Sequence, residues 1–437
     1  MQEKQNKTAL VWFRNDLRVN DQYSLFEACK TCDTVLAVYV FDTQQFQTTK
    51  YGFKKTGKFR VKFLIETVKE LKKSLQSLNI SLFTPKGDPK VIIKELVKEF
   101  KVTDIFLQKE WTLEETMVTD SVFKTLPQVT KHEVYDQFLF HPDDIPYNSF
   151  DKIPDIFTQF RKKCEKYGDI KNVLPQPQVM LPVNVKTTTG TVPTMAELGY
   201  EEFEPDTRSA FPFKGGEKQA IKRIEHYFWE TKKLQFYKKT RNGLIGTDYS
   251  SKLSAWLANG SISARTVYHE IKRFEEEVKK NQDTYWLIFE LIWRDYFKYV
   301  SLKYGNRIFY LGGILNKDYH WANKDENFEN WSTGNTSEPF VNANMKELLQ
   351  TGWMSNRGRQ NVASFWSKEL KEDWRKGTAW FESMLIDYDV HSNWGNWMYN
   401  SGVGNDPRDR KFNIKRQAEM YDANGKFQRH WLQDSLF

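Results

Sequence analysis

Four short segments in the C-terminal half carry side chains suited to chemistry. Tyr249-Ser-Ser-Lys-Leu-Ser254 gathers the hydroxyls of Ser250, Ser251 and Ser254 and the ammonium of Lys252 around Leu253, after the turn at Asn242-Gly243. At a helix start, hydroxyls, a cation and free backbone N–H donors cradle a pyrophosphate; a plain serine cap is the simpler alternative. Glu290-Leu-Ile-Trp-Arg-Asp295 sets Glu290 and Arg294 four apart among Trp286, Phe289 and Trp293. That spacing suits a helical ion pair, in either a lined cavity or a core helix with one snorkelling arginine. Asn356-Arg-Gly-Arg-Gln-Asn361 clusters Arg357, Arg359 and Gln360 about Gly358. Arginine forks onto phosphate or carboxylate, and amides match the edges of planar heterocycles. Asp387-Tyr-Asp389-Val-His391-Ser-Asn393 places two acids two apart. Such acids suit acid/base work or a metal. Only His391 stands at ligand spacing, so no metal is expected. Asp387 is expected to pair with Arg359, and Asp389 to accept hydrogen bonds from a ring.

None of these segments holds an activated nucleophile. There is no G-x-S-x-G, no P-loop and no H-E-x-x-H, and the seven histidines fit no triad. The chemistry must come from a bound cofactor. Cys29, Cys32 and Cys164 are too few for a disulfide framework or a four-cysteine cluster, so a reducing compartment is expected. No run of 18 apolar residues and no apolar leader occurs, which points to a soluble, cytoplasmic protein. A formal net charge of +8 favours polyanions such as nucleic acid.

The elements that position these segments fall into two kinds. Residues 8–140 alternate short β runs (Thr8–Phe13, Val35–Phe41, Ile80–Phe83, Asp104–Leu107, His132–Tyr135) with helical stretches such as Arg60–Ser77 and Pro89–Phe100. The alternation predicts a Rossmann-like parallel sheet under helices, without the G-x-G-x-x-G fingerprint. The proline-rich stretch 170–215 reads as a connector. From Glu217 the periodicity is helical throughout. The expected division is an α/β domain over 1–140, a connector over 141–216 and an all-α domain over 217–437. Thirteen of the 15 tryptophans fall between Trp229 and Trp431, so the two halves do different work.

Taken together, Leu10-Val-Trp-Phe-Arg14-Asn-Asp16-Leu-Arg18-Val-Asn-Asp21, Ser250-Ser-Lys-Leu-Ser254, Glu290-Leu-Ile-Trp-Arg-Asp295, Asn356-Arg-Gly-Arg-Gln-Asn-Val-Ala-Ser364 and Asn393-Trp-Gly-Asn-Trp397 resemble the photolyase/cryptochrome superfamily. Tyr237-Lys-Lys-Thr-Arg-Asn-Gly243 and Asp387-Tyr-Asp-Val-His-Ser-Asn-Trp-Gly-Asn-Trp397 resemble its DASH-type cryptochromes. The resemblance spans nearly the whole chain. It implies FAD in the helical domain, with Tyr237 and Ser250 to Ser254 on its phosphates. Arg294, Asn356, Arg359, Asp387, Asp389 and Asn393 would surround the isoalloxazine and ribityl chain, with Asn393 near N5. Trp397, Trp374 and Trp321 would relay electrons from flavin to surface. Arg241, Glu290, Trp293, Asn356, Arg357, Gln360 and Tyr399 would contact DNA around a flipped lesion, Glu290 sharing a proton with a thymine carbonyl. A 5,10-methenyltetrahydrofolate antenna is implied in the α/β domain, with Glu110 as its contact.

The resemblance also implies a substrate. Ordinary cyclobutane-dimer photolyases carry Met and Trp where this chain has Gln360 and Tyr399. Weaker stacking costs on the order of 1–3 kcal/mol per base, tolerable for an unpaired lesion and costly for one pulled from a duplex. The expectation is therefore a monomeric, blue-light-driven enzyme repairing cyclobutane pyrimidine dimers in single-stranded DNA. The alternative is a signalling photoreceptor without repair. A chain ending soon after the helical domain speaks against that alternative, because signalling members usually carry an extension. The Asn356–Gln360 loop lacks the histidine pair that a (6-4) photolyase requires.

Overall fold

The computed structural model describes residues 6–181, 184, 189–406 and 408–433. Its N-terminal part is a five-stranded sheet in the order β4-β2-β1-β6-β7. The strands are β1 (Thr8–Trp12), β2 (Thr34–Val38), β4 (Leu82–Phe83), β6 (Asp104–Gln108) and β7 (Thr130–Val134), all parallel. A parallel pair needs a long crossover. Helices α1 (Tyr23–Thr31), α2 (Lys58–Ser77), α3 (Pro89–Phe100) and α4 (Leu113–Phe123) supply these, while β3 (Phe41–Asp42) and β5 (Lys86–Gly87) pair separately. Side chains alternate across the pleat. Ala9, Val11, Val35 and Ala37 feed one apolar layer, and Leu10, Trp12, Leu36 and Val38 the other. The α/β class and the all-α second half both follow the sequence.

The proline-rich stretch does not hang free. Met195, Leu198 and Phe203 pack into the layer under α2. Asn184 holds both Val35 backbone groups and the Asn79 carbonyl at 2.8–2.9 Å. Before it, α5 (Phe157–Tyr167) buries Phe157, Phe160 and Cys164 against the helical half.

The helical half is built around α10 (Gln282–Tyr304), 23 residues long and opened by an Asn281/Thr284 capping box. Around it stand α6 (Glu217–Ile224), α7 (Tyr237–Thr240), α8 (Ser254–Ala258), α9 (Ala264–Glu277), α11 (Asp325–Thr333), α12 (Pro339–Thr351), α13 (Asn356–Ser364), α14 (Trp374–Met384), α15 (Val390–Ser401), α16 (Ile414–Tyr421) and α17 (Lys426–Leu432). Gly395 lets α15 meet α10 closely, since a Cβ there would lie 2.2 Å from the Phe297 ring.

Buried charges fasten the halves together. Arg18 and Arg265 each reach Asp136, at 2.7 and 2.6 Å, and Arg265 also reaches Asp21 at 3.0 Å. Glu217 accepts the backbone N–H groups of Val19 and Asn20. Asp295 of α10 accepts those of Leu139 and Phe140, just beyond β7. Burial pushes its carboxyl up to about 6. The Arg14…Asp21 motif thus acts largely as a fastener.

Candidate functional site

Helices α13 and α15 face each other across a cavity of about 80 Å³. Asn356, Arg359, Gln360 and Ala363 line it from α13, and Asn393, Asn396, Trp397 and Asn400 from α15. Both sets have the i, i+3, i+4, i+7 spacing of one helical face. The faces that would be apolar in a core helix here carry amides, so they enclose a polar space instead. Each helix start is fixed by its cap. Ser355 accepts from Gly358 N at 3.0 Å, and Asp389 from Ser392 N at 2.7 Å.

Asp387 is the hub of this cavity. Both its oxygens accept from Arg359 Nη2 at 2.9 Å, as the sequence predicts, and Oδ2 accepts from Ser254 Oγ at 2.6 Å. Three segments from three parts of the chain therefore meet at one carboxylate. Asn393 donates to the Thr378 carbonyl at 3.1 Å, which orients its amide oxygen.

Asp389 already has one partner within the protein, an ammonium from α10. Lys298 Nζ lies 3.0 Å from Asp389 Oδ2. Burial alone would raise the Asp389 carboxyl; Lys298, His391 and Arg294 hold it far below the usual range. Lys298 was not among the sequence candidates. Its signal is the stripe Glu290, Arg294, Lys298 at steps of four on α10. The three do not pair with one another. Glu290 meets Arg241 Nη1 at 2.6 Å instead of Arg294. Arg294 is taken by the carbonyls of Gln137 and Leu257, at 2.6 and 3.0 Å.

Arg294 faces a second, larger cavity of about 210 Å³ at the C-terminal ends of the strands, where α/β folds place ligands. Gln108, Glu110 and Glu115 line its sheet side, and Lys298 and His391 its helical side. Tyr388 and Asp389 line both cavities, so one residue layer separates them. Glu110 accepts from Gln108 Nε2 at 2.8 Å, and burial raises its carboxyl. Burial pushes Glu115 up to about 7, with Glu110 adding to the rise.

Trp397 is buried in the wall of the smaller cavity, edge-on to Phe381 (5.1 Å) and Trp331 (6.2 Å). Its ring leans on the backbone of Gly377, one turn from Trp374 on α14. Trp374 is fully buried and donates to the Leu311 carbonyl at 2.9 Å. Trp321 is half-buried and precedes Ala322, whose backbone bonds Lys371 and Asp373 immediately before Trp374. Of the three expected relay residues, Trp397 lines the cavity, Trp374 is buried and Trp321 is half-buried. Trp331 and Trp366, 4.8 Å apart beside Trp397, escaped sequence selection.

Around the cavity mouth, Arg357 Nη1 donates to Gln360 Oε1 at 2.8 Å and its guanidinium covers Tyr421. Asn356 is exposed there. Trp293 stacks on Phe157 at 3.6 Å and meets Tyr399 edge-on at 6.2 Å. Among the described residues no group of acids, cysteines and histidines could hold a metal ion.

Ser250 to Leu253 form a turn that runs into the five-residue α8, so only Ser254 is helical and no serine caps it. Behind this turn lie unpaired polar atoms. Lys252 Nζ, both Glu347 oxygens and Asn344 Oδ1 are buried without hydrogen-bond partners among the described residues. Lys252 lies over the rings of Tyr249 and Trp353. Burying an ammonium without a hydrogen-bond partner is costly, and Lys252 fits an anionic ligand group such as a phosphate. Burial pushes the Glu347 carboxyl up to about 8, against Lys252 and Arg359. An acid raised on folding binds more protons folded than unfolded, so its contribution to stability falls as pH rises from about 4.5 to about 8. Glu347→Gln is therefore expected to raise the unfolding temperature of ligand-free protein at about pH 9 and leave it nearly unchanged at about pH 5. Thermal unfolding at the two pH values checks this; equal shifts would refute it.

Comparison with known proteins agrees with this geometry. Residues 286–435 match the family described as the FAD binding domain of DNA photolyase, and residues 9–179 match DNA photolyase. The chain is 47% identical to Cryptochrome DASH of Gloeobacter violaceus, across 98% of this chain and 85% of that protein. It is 44% identical to the chloroplastic/mitochondrial Cryptochrome DASH of Arabidopsis thaliana, across 99% and 77%. The crystal structure of a Synechocystis cryptochrome superposes with a TM-score of 0.93 at 45% identity, covering 98% of this chain and 89% of that one.

Proposed function

The chain belongs to the photolyase/cryptochrome family, among its DASH cryptochromes, and from that premise we propose a blue-light-driven repair enzyme for cyclobutane pyrimidine dimers in single-stranded DNA. The family's FAD, when bound, supplies light absorption and single-electron donation. Ser250, Ser251, Lys252, Ser254 and Tyr237 would hold its phosphates, and Lys252's unpaired ammonium supports this. Arg359, Asp387, Asn356 and Asn393 would hold the ring and its chain. The neutral Asn393 amide offers a hydrogen bond without adding charge. Asp389 is held ionised by Lys298 at the opposite wall, and with Arg294 it belongs as much to the sheet-end cavity. That cavity suits the folate antenna: Glu110 and Glu115 present carboxyl groups of raised proton affinity to a pterin's ring donors.

The observation that carries the proposal is the mouth of the smaller cavity. Gln360 and Asn356 line it beside Trp397 and Asn393, Arg357 bonds Gln360, and we read the Arg241–Glu290 pair and the Trp293–Tyr399 contact as extending it. A tyrosine at 399 stacks a base more weakly than an indole, which favours a lesion already unpaired. No helix among the described residues is long and apolar enough to cross a membrane. We take the three free thiols as a mark of a reducing compartment, the cytoplasm being the simplest.

The test is blue illumination of reduced, flavin-loaded protein with oligo(dT) carrying one dimer, single-stranded or in a duplex. Repair is expected in the single strand and at least about tenfold slower in the duplex, the difference ~1.4 kcal/mol of base extrusion makes. Persistent dimers in both would overturn the enzyme.

A further inference from the structure

The α7–α10 contact holds an ion pair whose cation another anion can claim. Arg241 Nη1 lies 2.6 Å from Glu290 Oε1, and each is the other's only ion-pair partner among the described residues. Arg294, one turn along α10, is already committed to two carbonyls. The Arg241 and Glu290 side chains keep 20% and 28% of their surface in solvent, so an incoming ligand can reach both. Arg241 follows a helix bearing Lys238 and Lys239. Lys238 and Arg241 both lie over the Trp286 ring, at 4.3 and 5.7 Å. Arg357 lends a second guanidinium from α13 to the same mouth, engaged only with the neutral Gln360 and Tyr421. Lys238 and Arg357 therefore lie near Arg241, while Arg241 alone is paired with Glu290.

We propose that Arg241 is shared: it neutralises Glu290 in the free protein, and a phosphodiester of a bound DNA strand takes it over, leaving Glu290 to bind a proton and donate to a base carbonyl. This rests on the nucleic-acid reading above. A guanidinium forks onto a phosphate at least as well as onto a carboxylate, and the strand brings many phosphates at once. Once Arg241 turns away, no cation is left on Glu290. The other titratable or charged groups turned toward the pair are Tyr237 and Lys238 on α7 and Arg357 on α13, with Arg161 of α5 over the neighbouring Phe289. Tyr237 is buried and keeps its proton, and Lys238, Arg357 and Arg161 are engaged elsewhere. Burial already raises the Glu290 carboxyl, and Arg241 opposes that rise. The step is an uptake of one solvent proton by one carboxylate, with no other bond made or broken. It makes the proton donor appear only when a strand is in place.

The experiment is calorimetric titration of flavin-loaded protein with undamaged oligo(dT) in the dark. It is run in buffers of different ionisation enthalpy at about pH 7, which yields protons taken up per strand bound. Wild type is expected to take up a proton on binding. Glu290→Gln is expected to take up none and to bind the strand several-fold tighter, because the phosphate no longer competes for Arg241. Arg241→Gln should bind more weakly without proton uptake, and Arg241→Lys should recover part of both. A strand that binds with no proton uptake in wild type, or with the same uptake in Glu290→Gln, refutes the exchange and leaves the repair reading standing. Absence of any strand binding sinks both.

Discussion

Trp397→Phe is expected to stop light-driven reduction of bound oxidised flavin, bringing its rate below about a tenth of wild type, the change that ~1.4 kcal/mol of barrier already produces. An indole gives up one electron readily and a phenyl ring does not. The substitution is otherwise mild. The Trp397 indole N–H has no hydrogen-bond partner among the described residues, so none is lost. The smaller ring leaves a gap against Phe381, Trp331 and Gly377 that costs on the order of 1–3 kcal/mol. Flavin content should therefore hold. The measurement is flavin absorbance under blue light with a thiol reductant and no oxygen. Trp374→Phe is the second arm. It forfeits the bond to the Leu311 carbonyl and cuts the route towards Trp321. Trp331→Phe tests the neighbouring indoles, since Trp331 is the nearest tryptophan ring to Trp397. Photoreduction that survives Trp397→Phe means the relay is misplaced. Survival in Trp374→Phe with loss in Trp331→Phe moves the route to Trp331 and Trp366.

Some of this site is written in local spacing and some is not. The helix over Pro89–Phe100 is legible to the residue because Asp88 caps it, Pro89 starts it and Lys101 ends it in a left-handed turn. The Asp387–Arg359 pair follows from complementary charges in two polar segments. Helix α13 has no apolar period to read, and the apolar period of α15 (Val390, Trp394, Trp397, Met398) does not mark its amide face. Their inward faces are Asn356, Arg359, Gln360, Asn393, Asn396 and Asn400, since they enclose a polar space and not a core. The Glu290–Arg294 spacing misleads for a related reason. The four-residue rule weighs only partners on one helix, and Arg241 and two distant carbonyls outbid it. The seating of residues 192–203 under α2 is illegible for want of period: isolated Val192, Met195 and Leu198 mark no element, yet each fills a place in the sheet's apolar layer.

The same contest between local and distant partners makes Asp136 the most consequential residue outside the cavities. Asp136→Ala is expected to cost about 3–5 kcal/mol of stability, the penalty for stranding buried charge. Asp136 lies just past β7 and is almost fully buried. One oxygen takes Arg18 at 2.7 Å and the other Arg265 at 2.6 Å. Without it, two buried guanidiniums share Asp21 and the Gly260 carbonyl. Asp21 is already bonded to the Leu174 backbone, so it cannot turn to both. Arg265 is on α9 and Arg18 on the loop after β1, so the damage falls on the joint between sheet and helices. Asp136 adjoins Gln137, which lines the sheet-end cavity, so the ligand proposed there is expected to bind more weakly along with the loss of fold stability. Urea unfolding should show the lowered midpoint, while Asp143→Ala, which removes a largely exposed carboxylate beside His141, should stay within about 0.5 kcal/mol of wild type. Adding Arg265→Met to Asp136→Ala should restore part of the loss, because it removes one of the stranded charges. If Asp136→Ala alone matches the Asp143 control, the four buried charges do not hold the halves together, and the joint must rest on Asp295, Glu217 and apolar packing.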